Sequence, residues 1–275
     1  MRLTVAGREV VLCDWGRGFA PERPSLLLLH GAGMDHTVWA FQGRALAFHG
    51  YNALAPDLPG HGANAGLPPP ARIEAHAGWL RGLLDALDLG EVVLIGHSMG
   101  ALVALEAAAA DPRVRGLALL GAALRMPVHP DLLAAARADL PRAAAFVTGW
   151  GFAPATALGA QPVPGGWMPG AATALLLRSP PGVLAADLAA CDGYHRGEEA
   201  AASVSVPALV LSGARDRMTP ARAGAELARR LPRGGFESLP DTGHMSMLER
   251  PREVLGRLRR FLADLGAGGR VADRG

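Results

Sequence analysis

The amino-acid sequence predicts an α/β protein: a largely parallel sheet with helices on both faces, and a helical cap inserted after one strand. Three observations carry this reading. Short runs of apolar residues alternate with segments long enough to be helices, the signature of repeated β-α units. Runs such as Ser25–Leu29 and Glu91–Ile95 are continuous rather than alternating, so those strands are covered on both faces. The alternation stops between residues 122 and 203, where no segment reads as a strand, and then resumes.

Taken in order, residues 2–14 alternate around Ala6-Gly7-Arg8, a turn between two strands. A Gly/Pro loop leads into strand Ser25–Leu29, which ends in His30-Gly31-Ala32-Gly33. Residues 37–49 have helical spacing, and Tyr51–Ala55 is a strand ending in Pro56-Asp57-Leu58-Pro59-Gly60-His61-Gly62. Arg72–Leu87 is an amphipathic helix with Ile73, Ala77, Leu80, Leu84 and Leu87 on one side. Strand Glu91–Ile95, a helix to Ala110 and strand Val114–Leu120 follow. The insertion offers a helix over Asp131–Val147, a Gly/Pro/Trp stretch over 149–170, and helices over Ala171–Arg178 and Gly182–Ala190. Strand Val206–Ser212, helix Pro220–Leu231, strand Gly235–Leu239 and helix Pro251–Leu265 complete the pattern. Thr219-Pro220 reads as a hydroxyl cap with proline at the first helical position. The division expected is a core of residues 1–121 and 204–265, a cap of 122–203, and a flexible C-terminal tail of 266–275. Ligands of open parallel sheets bind outside the carboxyl ends of the strands, so an insertion leaving from there covers the site.

Composition narrows the chemistry. At 275 residues, half of them hydrophobic, the chain can build one large core. A formal charge of +2 gives no field for nucleic acid or an acidic membrane, and no apolar run approaches a bilayer span. Every basic residue is Arg, which excludes a Schiff-base lysine, a pyridoxal-phosphate linkage and a P-loop lysine. Two distant cysteines, Cys13 and Cys191, exclude a disulfide framework. Without a signal pattern at the N-terminus, the expectation is a soluble cytoplasmic protein, monomeric or homodimeric. No HExxH and no CxxC pair is present, so neither metal nor cofactor is expected.

The chemistry centres on Gly96-His97-Ser98-Met99-Gly100, between a strand and a helix. A serine at the tip of so tight a turn has a strained backbone and an exposed hydroxyl, and the flanking glycines leave room where strand and helix nearly touch. The Met99 amide, at the helix N-terminus, is a free donor suited to a developing oxyanion. A serine nucleophile needs a histidine base and an acid to orient it. His244, in the loop after the last strand, is the expected base. His30 is read as shaping the adjacent Gly turn, His97 as structural, His36, His49 and His76 as surface residues, and His129 and His195 as candidates for the pocket wall. Asp216, just past Val206–Ser212, is the expected acid, because the loop after Leu120 offers no carboxylate and Asp241 shares the loop of His244. The order Ser98, Asp216, His244 suits this architecture. The second oxyanion donor is expected from the loop after Ser25–Leu29: the amide of Ala32, with Gly33 beside it.

Together, HGAG at 30–33, DLPGHG at 57–62, GHSMG at 96–100, GARDRMTP at 213–220 and DTGHMSMLERP at 241–251 resemble the α/β-hydrolase superfamily. The resemblance covers nearly the whole chain outside the cap. It implies an eight-stranded sheet, a Ser-His-Asp triad and main-chain oxyanion donors at Ala32 and Met99. Ser98 in place of Asp argues against the haloalkane dehalogenase-like and epoxide hydrolase-like branches. Met245 in place of Trp, and His97 in place of Asn, argue against the carbon–carbon bond hydrolases. GHSMGA rather than GFSMGG argues against the haloperoxidase-like members. The carboxylesterase, thioesterase and enol-lactonase group remains, with a small, mainly apolar substrate. The alternative is a small-molecule receptor with a slow or vestigial triad. The substrate pocket is expected from Gly33, Trp150, Phe152, Trp167, Met168, Tyr194 and Met245, with the cap arginines Arg125, Arg137, Arg142, Arg178 and Arg196 as candidates to bind a substrate carboxylate.

Overall fold

The computed structural model describes residues 1–159 and 166–266. Most of the tail expected at 266–275, and residues 160–165 of the Gly/Pro/Trp stretch, lie outside these residues. Eight strands form one sheet: β1 (Arg2–Val5), β2 (Arg8–Cys13), β3 (Ser25–Leu29), β4 (Asn52–Pro56), β5 (Val92–His97), β6 (Val114–Leu120), β7 (Ala208–Gly213) and β8 (Gly234–Leu239). Their spatial order is β1-β2-β4-β3-β5-β6-β7-β8. β1 and β2 form an antiparallel hairpin, β2 pairs antiparallel with β4, and every later pair is parallel. Ala6 and Gly7 both have positive φ, as a two-residue hairpin turn requires.

Twelve α-helices are described: α1 (Ala40–Phe48), α2 (Ile73–Ala86), α3 (Met99–Ala110), α4 (Pro130–Ala138), α5 (Leu140–Gly151), α6 (Pro154–Ala157), α7 (Met168–Leu177), α8 (Val183–Asp192), α9 (Gly197–Ser203), α10 (Ala221–Arg230), α11 (Ser246–Glu249) and α12 (Pro251–Asp264). Successive residues of the central strands point to opposite faces, and the core divides accordingly. Leu27, Leu29, Leu94, Leu117, Leu119 and Val210 pack with α2 and α3. Leu26, Leu28, Val93, Ile95, Leu120, Leu209 and Leu211 pack with α1, α12 and part of the insertion. Truncating one of these fully buried leucines to alanine costs about 2–5 kcal/mol.

The insertion differs from expectation in three places, the first being α6, a turn of helix within the Gly/Pro/Trp stretch. The single helix expected over Asp131–Val147 is two helices. Asp139 ends α4 and caps α5, its side chain accepting from the Arg142 N–H, and Pro141 sits in the first turn of α5, where a missing N–H costs nothing. Residues 197–203 form α9, which packs on α3 through Ala200 and Ala201. Its short run of alanines carries no periodic signal, so only packing reveals it.

Candidate active site

β5 runs straight into α3, and Ser98 is the joint. Its φ of 53° and ψ of −120° lie where an L-residue is strained, at a cost of about 1–3 kcal/mol. The surroundings enforce this conformation. The Ser98 N–H donates to the Leu120 carbonyl at 2.9 Å, and the Ser98 carbonyl accepts from Ala101 and Leu102 as the first helical bonds form. A Cβ on Gly96 would lie 2.3 Å from the Gly100 carbonyl oxygen, and one on Gly100 would lie 2.4 Å from that of His30. Met99 is the first residue of α3, so its N–H has no intrahelical acceptor.

Past β7, Asp216 is buried and fully used. Its Oδ1 accepts from the amides of Met218 and Thr219, each at 2.8 Å, and its Oδ2 accepts from His244 Nδ1 at 2.8 Å. Burial alone would raise the carboxyl pKa, but the His244 ring and these bonds outweigh it and hold the group below its ordinary value. His244 follows β8. Its N–H donates to the Gly151 carbonyl at 2.7 Å, and its own carbonyl accepts from His97 Nε2 at 3.1 Å. With Nδ1 directed at Asp216, the lone pair of the neutral ring sits on Nε2, which is buried and has no hydrogen-bond partner among the described residues. The histidine at 97 is fully buried; burial, then the neighbouring His244 ring, lower its pKa to about 3. It therefore braces the His244 loop as a neutral group.

Thr219 has a different task from the one expected. The N-cap of α10 is Pro220, and no side chain caps that helix. The Thr219 hydroxyl instead lies 3.0 Å from the Gly121 carbonyl, 3.0 Å from Asp216 Oδ2 and 2.9 Å from His244 Nδ1. Having a single proton, it donates to one of the two oxygens while its lone pairs face the imidazole N–H. This hydroxyl joins acid, base and the β6 loop, and no spacing in the sequence marks it.

The loop after β3 is a tight turn closed by the Met34 N–H on the Gly31 carbonyl at 3.2 Å, with Gly33 at φ +66°. It hugs the elbow: a Cβ on Gly31 would lie 2.9 Å from the His97 ring and 3.2 Å from Ser98 Cβ. Ala32 faces the cavity beside Ser98. Gly33 does not. Its N–H donates to Asp187 Oδ2 at 2.8 Å, so it is already engaged and unavailable to a substrate.

Ser98 and His244 open into a cavity of about 260 Å³. Its wall comes from both sides: Met34, Met218 and Met245 from the core, and Met126, Leu132, Val147, Trp150, Leu184 and Leu188 from the insertion. Trp150 and Met245 are thus where expected. Phe152, Trp167, Met168 and Tyr194 are not. Phe152 and Met168 are buried among the apolar residues on the α1/α12 side of the sheet and do not line the cavity. Trp167 precedes α7 and is 66% exposed. Tyr194 is buried against α3, its hydroxyl donating to Glu106 at 2.8 Å. His129 lines the cavity, edge-on to Trp150, whereas His195 is exposed outside it. None of the cap arginines reaches the wall; Arg196, for one, pairs with Glu106 and Glu199. Among the described residues the permanent cation there is Arg217, next to Asp216, and no carboxylate lines the cavity. His76, expected at the surface, is fully buried, and burial lowers its pKa to about 4.

A strained serine on a strand-to-helix turn, with a carboxylate-bound histidine lining the same cavity, has the arrangement of a nucleophile elbow on a doubly covered parallel sheet. The profile of the alpha/beta hydrolase family matches residues 26–257, and the chain belongs to that family of hydrolytic enzymes. Among relatives, the pimeloyl-[acyl-carrier protein] methyl ester esterase of Aromatoleum aromaticum is 33% identical over 247 residues, 84% of this chain and 95% of that protein. Several other curated relatives match locally, the chain spanning about half of one and about a quarter of others. The enol-lactonase of Burkholderia xenovorans LB400 superposes with a TM-score of 0.84 at 26% identity, covering 96% of this chain and 100% of that one. A thermophilic esterase of Thermogutta terrifontis, described with malate bound, gives 0.82 at 27% identity over 96% and 98%.

Proposed function

We propose that the chain is a serine hydrolase that cleaves a carboxylic ester, thioester or lactone of a small substrate through an acyl-enzyme. The observation that carries this is the His244 ring, which lines the same cavity as Ser98: Nδ1 is bound to Asp216, and the buried Nε2 has no hydrogen-bond partner among the described residues. Nε2 takes the proton of the Ser98 hydroxyl as its oxygen attacks the carbonyl carbon. The amides of Ala32 and Met99 receive the oxyanion. The imidazolium returns its proton to the leaving oxygen or sulfur as that bond breaks. Water, deprotonated by the same nitrogen, then releases the acid and restores Ser98. The relatives named as esterase and lactonase support this reaction class. The insertion acts as the cap, excluding water from the acyl group.

The test is Ser98→Ala. It abolishes hydrolysis of p-nitrophenyl esters and labelling by a fluorophosphonate; persistent labelling rejects Ser98 as nucleophile. A receptor with a vestigial triad would instead be modified once, with almost no turnover.

Within that class, Arg217 favours a substrate carrying a free carboxylate. It is the one permanently charged residue lining the cavity among the described residues, and it has no ion-pair partner among them. The relative described with malate bound, a dicarboxylate, fits this preference. The ratio of kcat/KM for a half-ester of a dicarboxylic acid to that for the matching neutral ester measures it; a ratio below one rejects it.

A further inference from the structure

A second buried aspartate–histidine pair lies beside the turn that presents Ala32. Asp187, on α8 of the insertion, and His61, after β4, are both buried, and His61 Nε2 donates to Asp187 Oδ2 at 2.7 Å. The same oxygen accepts the Gly33 N–H at 2.8 Å. The protonation of His61 follows from geometry. Its Nδ1 faces two carbonyls, Leu58 at 3.2 Å and Pro59 at 3.1 Å, while Nε2 faces a carboxylate. All the neighbours are acceptors, so both nitrogens carry protons and the ring is an imidazolium.

The pair closes a circuit around the oxyanion turn. His30 Nδ1 donates to the Gly31 carbonyl at 2.9 Å, and His30 Nε2 accepts the Leu58 N–H at 2.9 Å. The Leu58 carbonyl meets His61, His61 meets Asp187, and Asp187 meets Gly33. The turn from Gly31 to Met34 is thereby tied at its first carbonyl and at its second central amide. Gly33, at φ +66°, holds the conformation that a type II turn needs at that position. The Ala32–Gly33 peptide is the one that flips between type I and type II turns. The bond from Gly33 to Asp187 selects one orientation. Leu184 and Leu176 of the insertion pack where a Gly33 side chain would stand, 2.8 and 3.1 Å from its Cβ position, so α7 and α8 rest directly on the turn.

Resting on the reading of Ser98 as nucleophile, we propose that Asp187, held by the His61 imidazolium, is a positioning residue that fixes the oxyanion turn and couples docking of the insertion to catalysis. The proton on His61 is part of the device. Burial works against the charged ring, but the Asp187 carboxylate, its hydrogen bond and the two carbonyls outweigh this and raise the pKa above the ordinary imidazole value. The other groups facing the pair are His30, His76, Cys191, Asp57, and the Asp35 and Arg178 side chains of the adjoining cleft. Burial lowers His30 and His76 to about 4, so neither adds a competing cation near neutral pH. The sign follows. With the folded-state pKa raised, the clamp is complete below about pH 6.5 and is lost as pH rises through the raised value.

Steady-state kinetics on p-nitrophenyl acetate test this. Asp187→Ala lowers kcat by tenfold to a hundredfold and leaves KM within about threefold, because the turn meets the oxyanion rather than the bound ester. In the wild type, kcat declines on the alkaline side as His61 deprotonates. His61→Gln keeps a donor toward Asp187 but cannot titrate, and that decline disappears. A folded Asp187→Ala enzyme with wild-type kcat overturns the proposal. Should that variant not fold by circular dichroism, the His61→Gln profile decides, and an unchanged alkaline limb overturns it. A wild type that neither turns over esters nor is labelled at Ser98 defeats the underlying hydrolase reading first, and is recognised by its independence of any variant.

Discussion

Two buried histidines each lie within 2.8 Å of an aspartate oxygen, and they are built for opposite ends. His244 holds Asp216 through Nδ1 and leaves Nε2 without a partner on the cavity side. His61 holds Asp187 through Nε2 and has its Nδ1 fastened to the carbonyls of Leu58 and Pro59. A ring with one open nitrogen can take and return a proton. A ring whose two nitrogens both face acceptors is a fixed cation. The contrast shows that a histidine–aspartate contact does not by itself indicate proton transfer; the environment of the second nitrogen does. The carboxylates differ in the same sense. Asp216 has each oxygen occupied, whereas Asp187 Oδ1 is buried without a partner among the described residues and Oδ2 alone takes both the His61 ring and the Gly33 amide.

The sharpest way to break this comparison is Asp216→Asn. An amide oxygen there still accepts from Nδ1, but an amide nitrogen presented to the ring forces the wrong tautomer and puts the proton on Nε2. A loss of about 10⁴ in kcat is expected, with the fold retained by circular dichroism. A loss under tenfold would make the two pairs equivalent and remove the distinction. Thr219→Val tests whether the Asp216–His244 pair needs its third member. The Gly121 carbonyl loses a donor and the His244 N–H loses an alternative acceptor. About tenfold in kcat, and about 1–3 kcal/mol of unfolding free energy by denaturant titration, are expected to be lost. Loss of stability without loss of rate would reduce Thr219 to a loop brace. The smallest effect concerns Arg217, which serves neither pair. Arg217→Gln is expected to raise KM for a carboxylate-bearing ester by roughly threefold to tenfold, since an exposed cation is screened by water and salt, and to leave a neutral ester unaffected. Equal effects on both esters would assign Arg217 to packing.

The sheet was legible because its information is local. Continuous apolar runs ending in Gly-rich turns located β3, β5, β6 and β7 within a residue or two. The elbow was legible for the same reason, since two glycines flanking Ser98 answer a steric demand set by immediate neighbours. The histidines were only partly so. His76 sits in an amphipathic helix at a position that could face either way, and the structure turns it inward. Thr219 followed by proline looks like a helix cap, and only the arrival of Gly121 from β6 and His244 from β8 gives its hydroxyl better partners.

By itself, then, the sequence determined the order of the core elements, the turn that carries Ser98 and the candidate acid and base, each placed at a strand end by chain connectivity. What the tertiary structure decided is which side chains far apart in the chain meet. It turned Phe152, Met168 and Tyr194 into core, left Trp167 at the surface, and gave the cavity its cation at Arg217. It also brought Asp187, 154 positions away, onto the amide of Gly33. Backbone conformation depends on neighbours a few residues apart, and a chain carries that information directly. The direction of a side chain on a helix of the insertion depends on where the helix docks, which is set by packing summed over the whole fold.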